Sequence, residues 1–273
     1  MENSPLVLQI GRTSYYQGYT PFGNSLYVDT SSDLVFLNYD HHLFSLNSAI
    51  GKLAYLQDVS ADSNFGTLGI TSKLPPLFNW LELSLGASLI TDLPDPSFTY
   101  LLPTRVEQNY AGLKINLLSV FEFTAETANL NFSDPSVIPL ISTGTKEDTT
   151  ASQYSISYIS EDFGYSFSLG YQVLGDAYYL STFADPTIFV GSAQGAESIL
   201  FRTRYYPSAE QMIGADLSYA LEDGFNTKTG ITGYYNFEIF ENSYLNFNVS
   251  RVLDNTSAAE DEFRGSASFS LSL

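Results

Sequence analysis

The sequence predicts an all-β chain whose antiparallel strands, about 14 of them, form an up-and-down barrel that spans a membrane. Three observations carry that prediction. The first is Phe163–Val173, FGYSFSLGYQV, where Phe163, Tyr165, Phe167, Leu169, Tyr171 and Val173 alternate with Gly164, Ser166, Ser168, Gly170 and Gln172. A strand turns successive side chains to opposite faces, so this is one greasy aromatic wall backed by one small polar wall. A tilted strand needs roughly 9–11 residues to cross a bilayer, and this stretch has that length. A soluble strand is shorter, about 5–6 residues, and its wet face carries Lys, Glu and Thr rather than Gly and Ser. The second observation is composition: 15% of the 273 residues are aromatic and only 15% are charged. An average soluble domain is about 25% charged. The third is that short and long connections alternate along the chain. A membrane barrel can keep its turns short on one side and its loops long on the other. A Greek-key sandwich has no reason to sort its connections by parity.

Composition also excludes several classes. Aromatic richness argues against disorder. A formal net charge of −19 argues against a nucleic-acid binder, which needs a basic stripe. With no Cys, disulfide frameworks and thiolate zinc sites are ruled out. No apolar run approaches the roughly 18 residues of a membrane-spanning helix. No linker divides the chain, so residues 1–273 read as one domain. The opening Met1-Glu-Asn-Ser-Pro is no signal sequence, so an exported chain has lost its signal or continues a longer protein.

Taken in order, the strands follow from alternation and from what interrupts it. Leu6–Tyr16 carries Leu6, Leu8 and Ile10 on one face, and a Gly/Pro/Ser/Asp loop follows over Gly18–Ser32. Asp33–Tyr39 alternates through Val35, Leu37 and Tyr39, turns at Asp40-His41-His42, and leads to Leu43–Leu56. Arg12 and Lys52 fall on the faces read as apolar. Gln57–Phe65 reads as polar loop, and the short strand Gly66–Leu74 ends at Pro75-Pro76, which a strand interior does not tolerate. Trp80–Thr91 sets Leu81, Leu83, Leu85, Ala87 and Leu89 against Glu82, Ser84, Gly86 and Ser88. Pro94, Pro96 and Pro103 make Asp92–Thr104 a long loop. Arg105–Leu117 and Val120–Leu130 form a hairpin through Leu118-Ser119, and the loop Ser133–Ala151 follows. Ser152–Ile159 turns at Glu161-Asp162 into the aromatic stretch, after which Gly175–Ala196 is the longest loop. Glu197–Tyr205, Gln211–Leu221, Thr227–Phe240, Tyr244–Leu253 and Glu262–Leu273 complete a plan without helices.

The last strand alternates Phe263, Ala267, Phe269, Leu271 and Leu273 with Arg264, Ser266, Ser268, Ser270 and Ser272, and it ends on an apolar residue. In this it resembles the closing strand of bacterial outer-membrane barrels. The opening Leu8-Gln-Ile-Gly-Arg12, with Gly18 and Asp29 after it, is similar to a hairpin opening in several bacterial porins. The resemblance, to porin-like outer-membrane barrels, covers nearly the whole chain. It implies export to the outer membrane of a Gram-negative-type bacterium, with both termini and the short turns in the periplasm and the long loops outside. The surroundings it implies are outer-membrane lipid and lipopolysaccharide. Monomer and trimer are equally open.

Lipid-facing Arg or Lys costs about 2–4 kcal/mol at the bilayer midplane, so charged strand residues belong inside. The alternation sends Glu82, Lys114, Glu122, Glu126, Arg202, Arg204, Asp216, Glu238 and Arg264 to the lumen as candidate pore-lining residues. The acids lie mostly on the fifth and seventh strands and the arginines on the tenth and last. They therefore either set up a field across the lumen or pair locally. The loops are acidic, with Asp58, Asp134, Glu147, Asp148, Asp176, Asp254 and Glu260 among them, which gathers cations and repels anions. No calcium-loop spacing, phosphate loop or nucleophile elbow occurs. His41 and His42 form an adjacent pair expected to diverge, with no acid placed to orient either. No catalytic residue, metal site or cofactor is therefore assigned. Val137–Ile141 and Pro186–Val190 are apolar pieces inside long loops, which suits either a constriction folded into the mouth or loop-on-loop packing.

The expected function is a passive or weakly selective channel for small hydrophilic solutes or ions, since barrels of about 16–18 strands leave aqueous channels and Gly/Ser faces leave space. Three alternatives differ in class. One is a plugged barrel that anchors a missing N-terminal domain. Another is a substrate-specific transporter, for which the lumen aromatics Tyr110 and Tyr234 would serve. The third is a lipid-acting enzyme.

Overall fold

The computed structural model describes residues 6–15, 19, 30–54, 62–73, 80–94, 101–142, 144–160, 164–178, 195, 197–222, 228–240, 243–254 and 262–271. They form one sheet of fourteen strands: β1 (Leu6–Tyr15), β2 (Thr30–Asp40), β3 (Phe44–Ala54), β4 (Asp62–Lys73), β5 (Leu81–Pro94), β6 (Leu101–Leu117), β7 (Phe121–Phe132), β8 (Thr150–Ser160), β9 (Tyr165–Leu174), β10 (Glu197–Ser208), β11 (Gln211–Glu222), β12 (Lys228–Phe240), β13 (Ser243–Asp254) and β14 (Glu262–Leu271). Each strand pairs antiparallel with the next in sequence, in the order β1 to β14. Odd-to-even connections have five residues or more and even-to-odd ones four or fewer, apart from the seven-residue β4–β5 connection, which is the up-and-down plan with short periplasmic turns and long extracellular loops. No helix of the described residues is long enough to cross a membrane, and the strands do the crossing.

The sheet is inside out relative to a soluble one. On β9, Tyr165, Leu169 and Tyr171 are exposed while Ser168, Gly170 and Gln172 are buried. The outer stripe continues from strand to strand in register, as Phe123↔Ile156, Ile156↔Leu169 and Leu169↔Phe201. A belt of rings girdles the short-turn end: Phe121–Tyr158 at 5.3 Å, Tyr158–Phe167 at 5.5 Å and Tyr235–Phe247 at 6.4 Å between centroids. Such girdles mark the membrane–water interface.

Several elements differ from the sequence reading. β4 begins at Asp62, inside the expected polar loop, because Asn64 and Phe65 pair with both β3 and β5. The expected loop Asp92–Thr104 is mostly strand, with β5 running to Pro94 and β6 starting at Leu101. The register shift between Thr91 and Leu93 places Pro103 where the ladder is irregular, so its missing N–H is tolerated. Pro207 is carried in the same way by the shift between Tyr205 and Ser208. The chain is also not free of helix. A 3-10 turn, Pro135–Val137, runs into α1, Ile138–Ile141, inside the β7–β8 connection. The turn starts on Asp134, whose carboxylate accepts from Ser136 N at 3.0 Å and Ser136 Oγ at 2.7 Å. Those bonds, the Ser136 hydroxyl first, hold the Asp134 carboxyl below the usual carboxylate range.

The β6–β7 turn puts two L-residues in the left-handed region, Leu118 at φ 55° and Ser119 at φ 57°. This is the two-residue hairpin geometry that Asn-Gly satisfies and Leu-Ser does not. Replacing Leu118-Ser119 by Asn-Gly is expected to stabilise the barrel by about 1–2 kcal/mol in urea unfolding from lipid vesicles. In the same assay Ile156→Arg, in the middle of the lipid stripe, is expected to destabilise by about 2–4 kcal/mol. Retention of full stability by that variant would place the face in water.

Candidate functional site

The interior is built in two levels. The extracellular level is an apolar cap. Val137 and Ile141 of the β7–β8 connection and Tyr178 of the β9–β10 connection pack with Leu34, Ile90, Val106, Leu130 and Leu174 from the strand ends. Ile141 is 1% exposed and Tyr178 is fully buried. The Val137–Ile141 piece thus packs with the other long connection and with the strand ends. Pro186–Val190 lies outside the described residues.

Asp176 ties the two connections together. Its carboxylate accepts Lys146 N at 2.8 Å and Asp148 N at 2.6 Å, while Ala177 N donates to Asp148 O at 2.8 Å. Asp148 in turn accepts Thr150 N at 2.9 Å and Thr150 Oγ1 at 2.8 Å. These acids, read from sequence as a cation-gathering surface, act here as acceptors that fix loop backbone. Gly144 lies directly against the Asp176 carboxylate, and a Cβ there would strike it.

Beneath the cap the wall is amide and hydroxyl. Gln108, Gln153 and Gln172 are all at most 1% exposed. Gln108 donates to Tyr178 Oη at 2.7 Å, and Gln172 donates to Gln153 Oε1 at 3.3 Å. On this wall the small polar faces are filled rather than empty, contrary to the expectation that they leave space. On the opposite side, inner-face Gln9 of β1 and Ser266 and Ser268 of β14 are exposed. Tyr19 dips in from the β1–β2 connection. Its backbone N–H donates to Glu126, whose Oε1 also accepts Tyr110 Oη at 2.9 Å. Tyr19 went unforeseen, although Tyr15, Tyr16, Tyr19 and Phe22 in one short stretch are too aromatic for a loop wholly in water.

The periplasmic level carries charge. One inner-face row follows the ladders: Glu122 of β7 opposite Ser157, Ser157 opposite Ser168, Ser168 opposite Arg202 and Arg202 opposite Asp216. At one end Lys114 Nζ meets Glu122 at 2.5 Å. At the other, Asp216 is 2% exposed and takes five donors. These are Arg202 Nε at 2.9 Å and Nη2 at 2.8 Å, Arg204 Nη1 at 2.8 Å and Nη2 at 3.2 Å, and Tyr234 Oη at 2.8 Å. Arg204 also stacks on Tyr234, 4.6 Å from the ring centroid. It lies flat across Gly214, where a Cβ would stand 2.7 Å from Arg204 Cδ. Between the two charged ends, Ser157 and Ser168 share a hydrogen bond of 2.8 Å.

The sequence-derived residues therefore separate into groups. Arg202, Arg204 and Asp216 come together, Lys114 joins Glu122, and Glu126 joins Tyr110 and Tyr19. Glu82 and Glu238 lie on inner faces, opposite Lys114 and Tyr244 in the ladders. Arg264 pairs with Ser250 in the β13–β14 ladder, and its side chain is outside the described residues, as are those of Arg12 and Lys52. The opposed charges pair locally instead of facing each other across the lumen. The histidines do not diverge either: the rings of His41 and His42 lie against each other, tilted by 49° with centroids 3.9 Å apart, and Leu43 N donates to His41 Nδ1. Among the described residues no group of three or more His, Cys, Asp or Glu converges on a metal-sized site.

Two consequences are measurable. Asp216→Ala strips five donors of their acceptor and is expected to cost about 3 kcal/mol in urea unfolding. Burial, with Glu82 and Glu126 adding to it, pushes the Tyr19 phenol well above the ordinary range, and burial does the same for Tyr178. Both favour the protonated form in the folded state. The stability they lend is complete below the ordinary tyrosine pKa of about 10 and is lost as pH rises beyond it. Ultraviolet titration should find Tyr19→Phe and Tyr178→Phe removing late-titrating phenols, and unfolding should become easier above about pH 10.

No family model matches the chain, and no curated protein sequence does. Among solved structures it is similar to Wzi, an outer-membrane protein involved in group 1 capsule assembly in Escherichia coli and a carbohydrate-binding β-barrel, with a TM-score of 0.64 at 12% identity. That match covers 96% of this chain and 66% of the Wzi chain, so this chain spans less than two thirds of its length. A fainter likeness, TM-score 0.43 at 8% identity over 83% of this chain and 78% of the other, is to the CymD monoaromatic hydrocarbon channel; it is too weak to support an inference. With the inverted sheet, the parity of its connections and this shared fold, the chain has the fold of a fourteen-stranded outer-membrane β-barrel.

Proposed function

We propose that this barrel is a restricted outer-membrane channel for small hydrophilic solutes or ions, set in outer-membrane lipid and lipopolysaccharide, with access from outside governed by the cap. The observation that carries the reading is the vertical order of the lumen. A Ser-, Gln- and ion-pair-lined periplasmic level lies beneath an apolar extracellular level made by two connections pinned at Asp176. A wide, permanently open pore has no use for a packed cap, and a solid plug has no use for a charged, hydroxyl-lined vestibule. No catalytic step is assigned to any residue.

A second reading has one observation in its favour. Serine hydroxyls, glutamine amides and tyrosine rings inside a capped barrel are also the materials of a saccharide-holding site, and Wzi is a carbohydrate-binding barrel of the same fold. In that reading the lumen holds its ligand without conducting it.

Planar-bilayer recording separates the two. The wild-type chain is expected to give small, frequently closed steps in KCl. Asp176→Ala, which releases the backbone of Lys146 and Asp148, is expected to lengthen and enlarge the open steps. Folded, inserted protein that never conducts, with or without Asp176, would replace the channel with the binding barrel.

A further inference from the structure

The inner wall of the barrel is dry on one side and wet on the other. From β6 to β9 its amides are sealed and engaged: Gln108 donates to Tyr178 and Gln172 to Gln153. From β12 round to β3 the amides stay within reach of water. Gln9 of β1 is exposed, and Asn38 of β2, Asn47 of β3, Asn236 of β12 and Asn246 and Asn248 of β13 are half-buried. All six stand two to five residues in from the short-turn ends of their strands, and so at one level. Register sets Asn38 opposite Asn47 and Asn236 opposite Asn246, with Cβ atoms about 5 Å apart. Ser268 and Ser266 of β14 continue the rows from Asn246 and Asn248. In a closed barrel the last strand stands beside the first, so the two groups of amides flank one stretch of wall. The apolar cap packs on strand ends between β2 and β9; β12, β13, β14 and β1 supply none of its described residues.

The charges of this wall lie at its two ends. Glu238, opposite Tyr244, and Asp40, which accepts Ser45 Oγ at 2.7 Å, stand at the short-turn rim. Lys228, Asp254, Glu262 and Arg264 occupy ladder positions of the same parity toward the long connections. Between them the described inner side chains of β12 to β14 and β1 to β3 are uncharged. A carboxylate only accepts and a guanidinium only donates, but an amide does both from one side chain. A hydroxyl does both as well, so a hydroxylated solute can exchange its water for these amides bond by bond. An ion finds no opposite charge at this level to replace its hydration. Tyr244 lies on the same face two positions below Asn246 and is 38% exposed. Such a ring can stack on the apolar face of a sugar while its hydroxyl stays in water.

We infer that this arc of amides holds a neutral sugar, with its hydroxyls on Asn236, Asn246 and Asn248 and its ring face on Tyr244. Gln9, Asn38 and Asn47 face the same solute from the other side of the β14–β1 junction. The solute therefore follows the wet wall and not the barrel axis, and it is chosen by its hydroxyls and not by charge. The inference deepens the channel reading by naming the class of solute, and it rests on that reading only for the route by which the solute arrives.

The test uses the full chain in detergent micelles, with each variant first checked for folding by its heat-dependent gel shift. The chain has no Cys, so a single introduced thiol reacts alone. A water-soluble methanethiosulfonate should label Asn248→Cys about tenfold or more faster than Ser157→Cys on the sealed wall, and glucose should slow the first reaction. Saturation-transfer NMR with glucose, glucuronate and glucosamine should find glucose bound at least as well as either charged analogue. Asn236→Leu combined with Asn246→Leu should weaken glucose about tenfold. Tyr244→Ala should weaken it several-fold, and it serves if the double variant does not fold. Equal labelling of the two thiols, tighter binding of glucuronate or glucosamine, or glucose binding indifferent to these variants would overturn the site. Glucose binding without any bilayer conductance would retire the channel and keep the site; conductance without glucose binding would do the reverse.

Discussion

Hydrocarbon outside the sheet is the constraint on which everything else depends. Lipid offers no partner to a backbone N–H or C=O, so every strand has to pair with its neighbour and the edges have to be kept few. Lipid also rewards apolar side chains on the outer face, which drives the Ser, Gly, Gln and charged residues inward. Phe123, Ile156 and Leu169 can be exposed in one continuous stripe because what they meet is hydrocarbon and not water.

That inversion creates a second problem inside. Inward polar groups that lose water have to satisfy one another. The structure meets this with horizontal lacing along the ladders: Thr124 with Ser155 at 2.6 Å, Ser157 with Ser168 at 2.8 Å, and Arg202 and Arg204 with Asp216. Cross-strand register puts these partners face to face, so the same pairing that protects the backbone also neutralises the lumen. Where two arginines share one carboxylate, Tyr234 adds a further donor and Asp216 sits buried at the centre of the cluster.

The cap answers a different need. Long extracellular connections carry apolar residues that lipid cannot reach, and the barrel mouth is the dry place left for them. Val137, Ile141 and Tyr178 fill it, and the core of this protein therefore sits at one end of the barrel instead of along its axis. Asp176 holds the arrangement through backbone donors of the other connection, so the cap is a joint product of two loops. In the channel proposed above, access from outside depends on a few charge-assisted bonds rather than on the strands themselves.

Strand number, face assignment and the parity of the connections were legible in the sequence because a period of two is written in consecutive residues. Even the inward placement of Lys114, Arg202, Arg204 and Asp216 followed from that period. The prolines misled at β5–β6, since a bulge that accommodates Pro103 depends on a partner strand and not on the local sequence. The pairing of Arg202 and Arg204 with Asp216, the reach of Tyr19 across the lumen and the tie between Asp176 and the Lys146–Asp148 backbone were decided only by tertiary structure. Those contacts join positions 12 or more residues apart: 12 and 14 within the arginine cluster, 28 and 30 at the cap tie, and 107 between Tyr19 and Glu126. Alternation says which way a side chain points; the register and the path of the loops say whom it meets.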